Sequence, residues 1–284
     1  MEIQFTKMHG LGNDFMVLDL TTSSLQLTAE QISKLSDRHF GIGFDQLLQI
    51  ENPLPDDRDE ADFVYRIFNG DGSEVEHCGN GARCFAKYVF DKGLSDKNPI
   101  RVKTCNRILC LEHQANGEIT VDMEQPEFDP AAIPFITDGS AAFYERTLQI
   151  NGSDIEVEFS VVSMGNPHAV IIVENVEETA VEEIGIALGS HKDFPEGVNV
   201  GFMQILDRSA INLRVYERGA GETLACGTGA CAAVATGCRR GLLNDTVNVG
   251  LKGGNLSINW HKQEDTSVLM TGPAETAYEG TIEI

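Results

Sequence analysis

One short glycine-rich segment occurs twice in the chain, and this duplication constrains the fold more than any other feature. The segment CGNGA at residues 78–82 returns as CGTGA at residues 226–230, 148 positions later in a chain of 284 residues. The match extends upstream, because Glu74 and Glu222 each lie four residues before the cysteine of their segment. The duplication predicts two similar halves, each carrying one cysteine on a glycine-rich turn, and the length is sufficient for two domains of about 150 residues.

Two further landmarks recur in the same order as the cysteine segments. Gly12-Asn13 is matched by Gly165-Asn166, and residues 43–46 are matched by residues 197–199, both at spacings of about 153. A repeat of roughly 150 residues indicates a duplicated domain, because solenoid units are much shorter. Strand and helix signals alternate in both halves and indicate a mixed α/β fold. We expect an N-terminal domain of residues 1–126 with 273–284, and a C-terminal domain of residues 127–272.

Local signals place several elements within this plan. Thr28 and Gln31 have capping-box spacing and predict a helix that continues through about His39 and stops at Gly41. The stretches after both cysteines predict helices, because they are rich in alanine and are followed by glycine. Five more signals are a strand over residues 62–68, hairpin turns at Asn116-Gly117 and Asn151-Gly152, and helix stops at Gly93 and Gly241.

The charge balance bears on possible partners. The chain has 21 basic and 44 acidic residues, which gives a formal net charge of −23. So large a negative charge repels phosphate backbones and anionic lipid, which argues against nucleic-acid and membrane partners. The first residues do not have the pattern of a secretion signal, and no apolar run approaches the roughly 20 residues needed to span a bilayer. The sequence therefore predicts a soluble cytoplasmic protein.

The cysteine count predicts free thiols. Seven cysteines form an odd set without a secretion signal, and their close pairs are spaced by four or five residues, which is not the usual zinc pattern. We therefore expect neither a disulfide framework nor a metal, and no motif indicates a cofactor. Five cysteines lack the glycine-rich setting and are predicted to be core residues: Cys84, Cys105, Cys110, Cys231 and Cys238.

Cys78 and Cys226 are the candidates for chemistry. A thiol acts as a base only as its thiolate, and a helix N-terminus stabilises that anion by about 0.3 to 2 kcal/mol. The same N–H groups can hold a substrate carboxylate while a proton leaves the neighbouring carbon. Two opposed thiols would suit the removal of a proton from one face of a carbon and its delivery to the other. The alternative is structural, because a cysteine before Gly-x-Gly is often a small buried residue at a helix start.

Polar residues at the turns fit a binding role. Glu217-Arg218 provides a cation for a carboxylate beside an anion for an ammonium group. His168 either adjusts a thiol or caps the adjacent strand. Neutral amides can donate to carboxylates and accept from ammonium groups, although for each asparagine taken alone a turn-forming role is the better interpretation. The amides concerned are Asn13, Gln46, Asn69, Asn80, Asn166 and Asn199.

Taken together, these motifs resemble the diaminopimelate epimerase family. The resemblance covers nearly the whole length and has no departure at the motif positions. It is carried by KMHGLGNDFMVLD, RHFGIGFDQ, FNGDGSEVEHCGNGARC, MGNPHAV, GVNV, YERGAGETLACGTGACA and TGPAETAYEG. The resemblance implies a cofactor-independent isomerase that interconverts LL- and meso-2,6-diaminopimelate for lysine and peptidoglycan precursor synthesis. It also implies two pseudo-symmetric domains, each a mostly antiparallel sheet curled around a central helix, with the substrate between them.

The resemblance also implies roles for individual residues. Cys78 would be the base toward the LL isomer and Cys226 the base toward the meso isomer, while His168 and Glu217 would adjust the thiol pKa values. Tyr278 matches a tyrosine at the interface of family homodimers. The implied substrate contacts are Asn13, Gln46, Asn69, Gly79, Asn80, Asn166, Asn199, Glu217, Arg218, Gly227 and Thr228.

Two other interpretations remain open at this point. A proline or hydroxyproline racemase uses a related pair of cysteines, but its substrate has no second amino-acid group for Glu217 and Arg218 to bind. A redox-regulated amino-acid binding protein could instead join Cys78 and Cys226 in a disulfide, which leaves the conspicuous amides unexplained.

Overall fold

The computed structural model describes residues 2–75, 78–262 and 266–284. Within these, the chain divides into two compact units. Unit 1 comprises Met1–Asp122 and Thr271–Ile284, and unit 2 comprises Met123–Met270. Each unit has its own sheet and its own buried helix.

The sheet of unit 1 is mixed and mostly antiparallel. Its strands pair in the order β18, β1, β2, β3, β4, β6, β7 and β8, with the short β5 also on β4. Only the β2–β3 and β4–β6 pairs are parallel. The strands are β1 (Glu2–Gly10), β2 (Asn13–Asp19), β3 (Gln46–Glu51), β4 (Phe63–Asn69), β5 (Glu74–Val75), β6 (Ile100–Lys103), β7 (Ile108–His113), β8 (Ile119–Asp122) and β18 (Glu275–Glu283).

The central helix of unit 1 is α2 (Gly79–Asp91), which contacts β1, β2, β3, β7 and β8. These strands come from both ends of the pairing order, so the sheet curls around the helix. The first eight residues of α2 are buried, and so is Val89. One of the eight is Arg83, although its side chain carries a charge. A helix buried on nearly all sides needs small side chains, and the Gly-x-Gly-Ala start supplies them. The shorter α1 (Ala29–Ser36) packs Ile32 and Leu35 into a separate part of the core.

The sheet of unit 2 repeats the pairing scheme of unit 1. Its strands pair in the order β9, β10, β11, β12, β13, β15 and β16, with the short β14 also on β13. The two parallel pairs, β11–β12 and β13–β15, occupy the same places in the order as those of unit 1. The strands are β9 (Tyr144–Ile150), β10 (Ser153–Ser163), β11 (Pro167–Ile172), β12 (Asn199–Asp207), β13 (Ala210–Glu217), β14 (Gly221–Glu222), β15 (Thr246–Leu251) and β16 (Gly254–Asn259), and β17 (Leu269–Gly272) spans the chain boundary between the units.

The central helix of unit 2 is α4 (Gly227–Arg239), which contacts β10, β11, β12, β13 and β16. Like α2 it has 13 residues, and nearly all of them are buried. Helix α3 (Val181–Gly189) packs on a cluster of aromatic and aliphatic side chains that includes Phe159, Phe194 and Phe202. The expectation of a mixed α/β fold with one central helix in each half is therefore confirmed.

Most local sequence signals are confirmed. The Thr28–Gln31 capping box is present, with the Gln31 N–H donated to Thr28 Oγ1 at 3.2 Å. The helix that it opens is shorter than predicted and ends at Ser36 instead of continuing to His39. The cause is Asp37, whose Oδ1 accepts the N–H groups of His39 and Phe40 and so competes with helical hydrogen bonding.

The prediction that five cysteines are core residues is partly wrong. Cys84, Cys231 and Cys238 are buried, whereas Cys105 and Cys110 are exposed. Cys110 lies on β7, a strand whose buried residues alternate with exposed ones, and it falls on the exposed side. Among the described residues, every helix is too short or too polar to cross a membrane.

Candidate active site

Each reactive-thiol candidate occupies the residue before a central helix. Cys78 is the N-cap of α2 with φ −141° and ψ 120°, and Cys226 is the N-cap of α4 with φ −121° and ψ 108°. This geometry follows from the sequence, because the glycines one and three residues later admit close packing at the first turn. A Cβ on Gly81 would lie 2.4 Å from the Tyr65 hydroxyl. The first-turn N–H groups of each helix have no partners within the helix and can serve an anion.

The thiol of unit 1 lies among neutral amides. Cys78 is half-buried, and its Sγ donates to Asn13 Oδ1 at 3.5 Å. Asn80 Nδ2 donates to the same oxygen at 3.3 Å. The hydroxyl of the buried Tyr65 donates to the Cys78 carbonyl at 3.3 Å. Burial, followed by the nearby Cys78 and Cys84, raises the Tyr65 pKa well above 10.0, so this hydroxyl keeps its proton.

The other candidate binding residues of unit 1 lie on the neighbouring strands β3 and β4 and at the start of α2. Gln46 and Asn69 are register partners on β3 and β4, and Gln46 Nε2 donates to Asn69 Oδ1 at 3.0 Å. Gly79 and Asn80 are buried in the first turn of α2. The structure therefore joins Cys78, Asn13 and Asn80 directly, and it joins Gln46 and Asn69 as a separate pair.

The thiol of unit 2 lies against a carboxylate. Cys226 is only 4% exposed, and its Sγ donates to Glu217 Oε2 at 3.1 Å. The Thr223 hydroxyl donates to Glu217 Oε1 at 2.5 Å, which holds the carboxylate in place. Burial and then Glu217 raise the pKa of Cys226 well above its ordinary value of 9.0. The Thr228 hydroxyl and the Gly229 N–H lower the Cys226 pKa, but their effects are smaller.

The stabilisation that the helix N-terminus offers the Cys226 thiolate is outweighed by burial and by Glu217. The dipole contributes at most about 2 kcal/mol, whereas removing a thiolate from water next to a carboxylate costs more. Glu217 was also expected to bind an ammonium group, but both of its oxygens are engaged by Cys226 and Thr223 in this structure.

A chain of hydrogen bonds links His168 to Cys226. His168 Nε2 lies 3.0 Å from Asn166 Oδ1, Asn166 Nδ2 donates to Thr228 Oγ1 at 3.4 Å, and Thr228 Oγ1 lies 3.6 Å from Cys226 Sγ. His168 therefore reaches the thiol through two other side chains. Burial and then Arg218 lower the His168 pKa from 6.5 to about 3, so the imidazole is neutral. Because the amide oxygen can only accept, the imidazole proton lies on Nε2.

Asn199 and Arg218 form the remaining pair in unit 2. The Arg218 N–H donates to Asn199 Oδ1 at 2.9 Å, and Asn199 Nδ2 donates to the Pro167 carbonyl at 3.1 Å. The Arg218 side chain donates from Nη1 to the Glu196 carbonyl at 2.7 Å. Gly227 is the buried first residue of α4. Tyr278, the predicted dimer residue, lies on β18, is half exposed, and packs edge-on against Phe5.

The glutamates that recur before the cysteines form equivalent ion pairs. Arg66 donates from Nε and Nη2 to both oxygens of Glu74 at 2.8 Å, and Arg214 does the same to Glu222 at 2.5 and 2.8 Å. Each arginine lies on a long strand, β4 or β13. Each glutamate lies on the short strand that follows, β5 or β14, just before the cysteine. The repeat therefore preserves a two-point ion pair that holds each turn. The equal spacing of Arg66 and Arg214 was the sequence signal for it.

Sequence reasoning missed a second set of charges near Cys78. Asp45 Oδ2 accepts from Asn13 Nδ2 at 3.0 Å, and Arg38 donates to Asp45 at 2.7 Å and to both oxygens of Asp14. Arg83 is completely buried, and its Nη2 donates to Asn80 Oδ1 at 2.9 Å. A lone arginine in an otherwise alanine-rich helix was the available signal. Within the described ranges, no group of three His, Cys, Asp or Glu side chains is arranged to hold a metal ion.

Comparisons with solved structures define the fold class of this chain. The fold is shared with a phenazine biosynthesis protein of the PhzF family from Bacillus anthracis, with a TM-score of 0.70, 17% identity and full coverage of both chains. A hydroxyproline epimerase from Agrobacterium vitis matches with a TM-score of 0.69 and 16% identity over 99% of this chain and 92% of the other. At these identities the likeness concerns the fold alone.

Sequence comparison identifies the family within that class. The family model described as diaminopimelate epimerase matches residues 5–128 and 160–277. The diaminopimelate epimerase of Nitrosomonas europaea is 56% identical over 284 residues, which is the full length of both chains. That of Cupriavidus metallidurans is 53% identical over 289 residues, covering 100% of this chain and 98% of the relative. The chain belongs to the diaminopimelate epimerase family.

Proposed function

We propose that the chain is a cofactor-independent isomerase that interconverts LL- and meso-2,6-diaminopimelate by proton transfer between the substrate and two thiols. The observation that carries the proposal is the repeated placement of a cysteine at the N-cap of a glycine-headed, buried helix, once in each unit. Family membership supplies the substrate.

The proposed reaction balances without any other reactant. One thiolate takes the proton from the α carbon, so an S–H bond forms as the C–H bond breaks. The electron pair left on carbon spreads into the adjacent carboxylate, where N–H groups of a helix start stabilise the growing charge. The other thiol then delivers its proton to the opposite face of the carbon. The active form therefore holds one thiolate and one thiol.

The environment of Cys226 supports an assignment of roles. Its raised pKa and its bond to Glu217 keep a proton on this sulfur before substrate binds. Cys226 is then the acid and Cys78 the base toward the LL isomer, and the roles reverse toward the meso isomer. Glu217 serves in this proposal mainly as the partner that exchanges the Cys226 proton, and His168 acts through Asn166 and Thr228.

The polar residues of the two units are proposed as the binding groups. Arg218 is the cation for the substrate carboxylate that does not react, and the amides orient the ammonium and carboxylate groups. The proposed contacts are Asn13, Gln46, Asn69, Gly79, Asn80, Asn166, Asn199, Glu217, Arg218, Gly227 and Thr228.

The proposal is tested by isotope exchange. The reduced protein is incubated with LL-diaminopimelate in heavy water, and the expected result is one deuterium at an α carbon together with formation of the meso isomer. Cys78→Ala and Cys226→Ala should each lower epimerisation by at least about a thousandfold, since a positioned acid or base contributes 10² to 10⁴. Full activity of either variant would contradict the two-thiol mechanism. Proline serves as the competing substrate, and faster turnover of proline would favour the racemase alternative.

We further propose that the chain acts in the cytoplasm as a homodimer. The substrate is a precursor of lysine and of peptidoglycan, which are made there. Tyr278 lies half exposed on β18, whose described pairing is with β1 alone, and this supports a contact between two copies at that strand. Sedimentation of the protein with and without Tyr278→Ala tests the contact, and an unchanged dimer would exclude this residue from it.

A further inference from the structure

Four side chains of unit 1 form a hydrogen-bonded chain with a charged group at each end. Arg83 Nη2 donates to Asn80 Oδ1 at 2.9 Å, Asn80 Nδ2 donates to Asn13 Oδ1 at 3.3 Å, and Asn13 Nδ2 donates to Asp45 Oδ2 at 3.0 Å. A guanidinium can only donate and a carboxylate can only accept. The two ends therefore determine which way both asparagine amides face.

The orientation of Asn13 matters because its oxygen also faces the Cys78 sulfur at 3.5 Å. An oxygen there accepts from the thiol and favours the protonated form, whereas an NH₂ group there would donate to the thiolate and favour the anion. The two orientations of one amide thus have opposite effects on the Cys78 pKa.

We propose that Arg83 and Asp45 are positioning residues that fix the direction of this chain, so that Cys78 always faces an acceptor. The inference rests on the proposed function, in which Cys78 takes the α proton. The new S–H then donates to Asn13 Oδ1, and the thiol is held ready to return its proton to the carbon. Neither residue touches the reacting atoms in this account; each acts through an asparagine.

Unit 2 provides an internal contrast, because the repeat replaces both charged ends. The positions that correspond to Arg83 and Asp45 by the repeat spacings are Cys231 and Val198. Asn166, the counterpart of Asn13, faces a hydroxyl and a neutral imidazole. The directed chain with ionic ends therefore belongs to the Cys78 side of the repeat.

Within the described part of the chain, the other titratable groups near Cys78 can be told apart from it in a measurement of its pKa. From β4, Tyr65 has its pKa raised well above 10.0 by burial and then by Cys78. From α2, Cys84 has its pKa raised to about 12 by burial, and Arg83 stays charged. Beyond Asn13 lie Asp45 and its partner Arg38, which also pairs with Asp14. Asp14 itself has a lowered pKa, chiefly because Arg38 and Lys7 donate to it against the effect of burial.

Asp45→Asn is the variant that turns Asn13, the member of the chain that faces the sulfur. A charged donor, Arg38, bonds Asp45 Oδ1 at 2.7 Å, whereas Oδ2 accepts from the neutral Asn13 amide and Asp14 N–H at 3.0 and 3.1 Å, so the new NH₂ group takes the place of Oδ2. It then donates toward Asn13, whose oxygen turns to accept it and gives up the 3.3 Å bond from Asn80, while the Asn13 NH₂ group turns to the sulfur. We expect the pKa of Cys78 to fall by about one unit or more. The pKa is read in the free protein from the pH dependence of iodoacetamide alkylation, with peptide mapping to separate Cys78 from the other cysteines.

Asp14→Asn is the matched control. It removes the same charge from the same Arg38 cluster, but the Asp14 side chain does not bond the Asn13 amide in the described structure. We expect a shift of less than about half a unit, because only the screened through-space repulsion between the carboxylate and the thiolate changes. Equal shifts in the two variants, or no shift in a folded Asp45→Asn protein, would overturn the proposal.

A measurement on the unchanged protein decides the question if a variant fails to fold. Neutron diffraction from deuterated crystals locates the amide deuterons directly. The expected result is Asn13 deuterons directed at Asp45 and an Asn80 deuteron directed at Asn13 Oδ1, and the reverse orientation of Asn13 would refute the inference. Neither measurement uses turnover, so a protein that fails to epimerise diaminopimelate would defeat the proposed function and leave this test intact.

Discussion

The two cysteine sites share a backbone and differ in their chemistry. Both sulfurs belong to N-cap residues of 13-residue buried helices, and both segments are preceded by an Arg–Glu ion pair in the same place. Cys78 is half-buried and faces a neutral amide oxygen, whereas Cys226 is buried and faces a carboxylate. Duplication of the fold has therefore preserved the turn and changed the groups that control the proton.

This difference matters for a substrate with two unlike stereocentres. A pair of identical thiol sites would hold protons equally and could not begin in a defined state. The carboxylate beside Cys226 favours its protonated form, which suits the role of first proton donor that we propose for this sulfur. The unequal positions of the repeat, Asn69 against Glu217 and Asn80 against Thr228, carry this asymmetry.

The largest expected effect comes from making the two sites more alike. Glu217→Gln keeps the shape of the side chain but removes the charge beside Cys226, so the pKa of Cys226 should fall and kcat/KM should drop about a hundredfold. Site-resolved alkylation and epimerisation assays measure the two effects. Glu196→Gln removes the same charge from an exposed side chain and should change neither. An unchanged Cys226 pKa in Glu217→Gln would contradict the account.

The equivalent glycines of the two turns should differ in their tolerance of alanine. A Cβ at Gly81 would lie 2.4 Å from the hydroxyl of the buried Tyr65, whereas one at Gly229 would lie 3.0 Å from a Val215 methyl. Gly81→Ala should destabilise the protein by about 2 kcal/mol, because overpacking exceeds the gain in helix propensity. The free energy of unfolding of Gly229→Ala should stay within about 1 kcal/mol of that of the unchanged protein. Thermal unfolding compares them, and equal midpoints would show that Tyr65 moves freely.

The two Arg–Glu pairs should respond differently to acid. The Glu222 pKa is lowered from 4.5 to about 2, first by Arg214 and also by Lys252, which contacts it at 2.7 Å. A carboxyl whose folded pKa is depressed stabilises the fold above its unfolded pKa, and this contribution is lost as the pH falls from 4.5 to about 2. Glu222→Gln should therefore cost about 1 kcal/mol at pH 7. Glu74→Gln should lower the free energy of unfolding by less than Glu222→Gln does. A larger loss of stability in Glu74→Gln would contradict this prediction.

The last expected difference concerns His168, which has no histidine counterpart in unit 1 at the repeat spacing. Its pKa is lowered to about 3, so its imidazole signals in an NMR titration should stay constant between about pH 5 and 9. Because the unfolded histidine takes up a proton below 6.5 and the folded one does not, the fold should lose stability as the pH falls from 6.5 to about 3. A midpoint near 6.5 for His168 would show that the imidazole is accessible to water.

Local structure could be predicted where a few neighbouring residues decide it. The capping box at Thr28, the hairpin glycines at 117 and 152, and the helix stops at Gly93 and Gly241 are confirmed, because each depends on backbone angles or a bond within four residues. The end of α1 was placed too late, since the Asp37 side chain intercepts the next N–H groups. Cys110 was misplaced because the face that a strand residue occupies depends on which side of the sheet is covered, and Cys105 because it lies in the bend between β6 and β7.

The sequence by itself determined the duplication, the two thiol-bearing turns and the family, because these are properties of residue order. Only the tertiary structure decided which groups surround each sulfur. Glu217 is nine residues from Cys226, and Asn13 is 65 residues from Cys78, so both contacts depend on how distant strands meet the start of a buried helix. The pKa of a thiol is set by burial and by its nearest charges and hydrogen bonds, which exist only after the chain has folded.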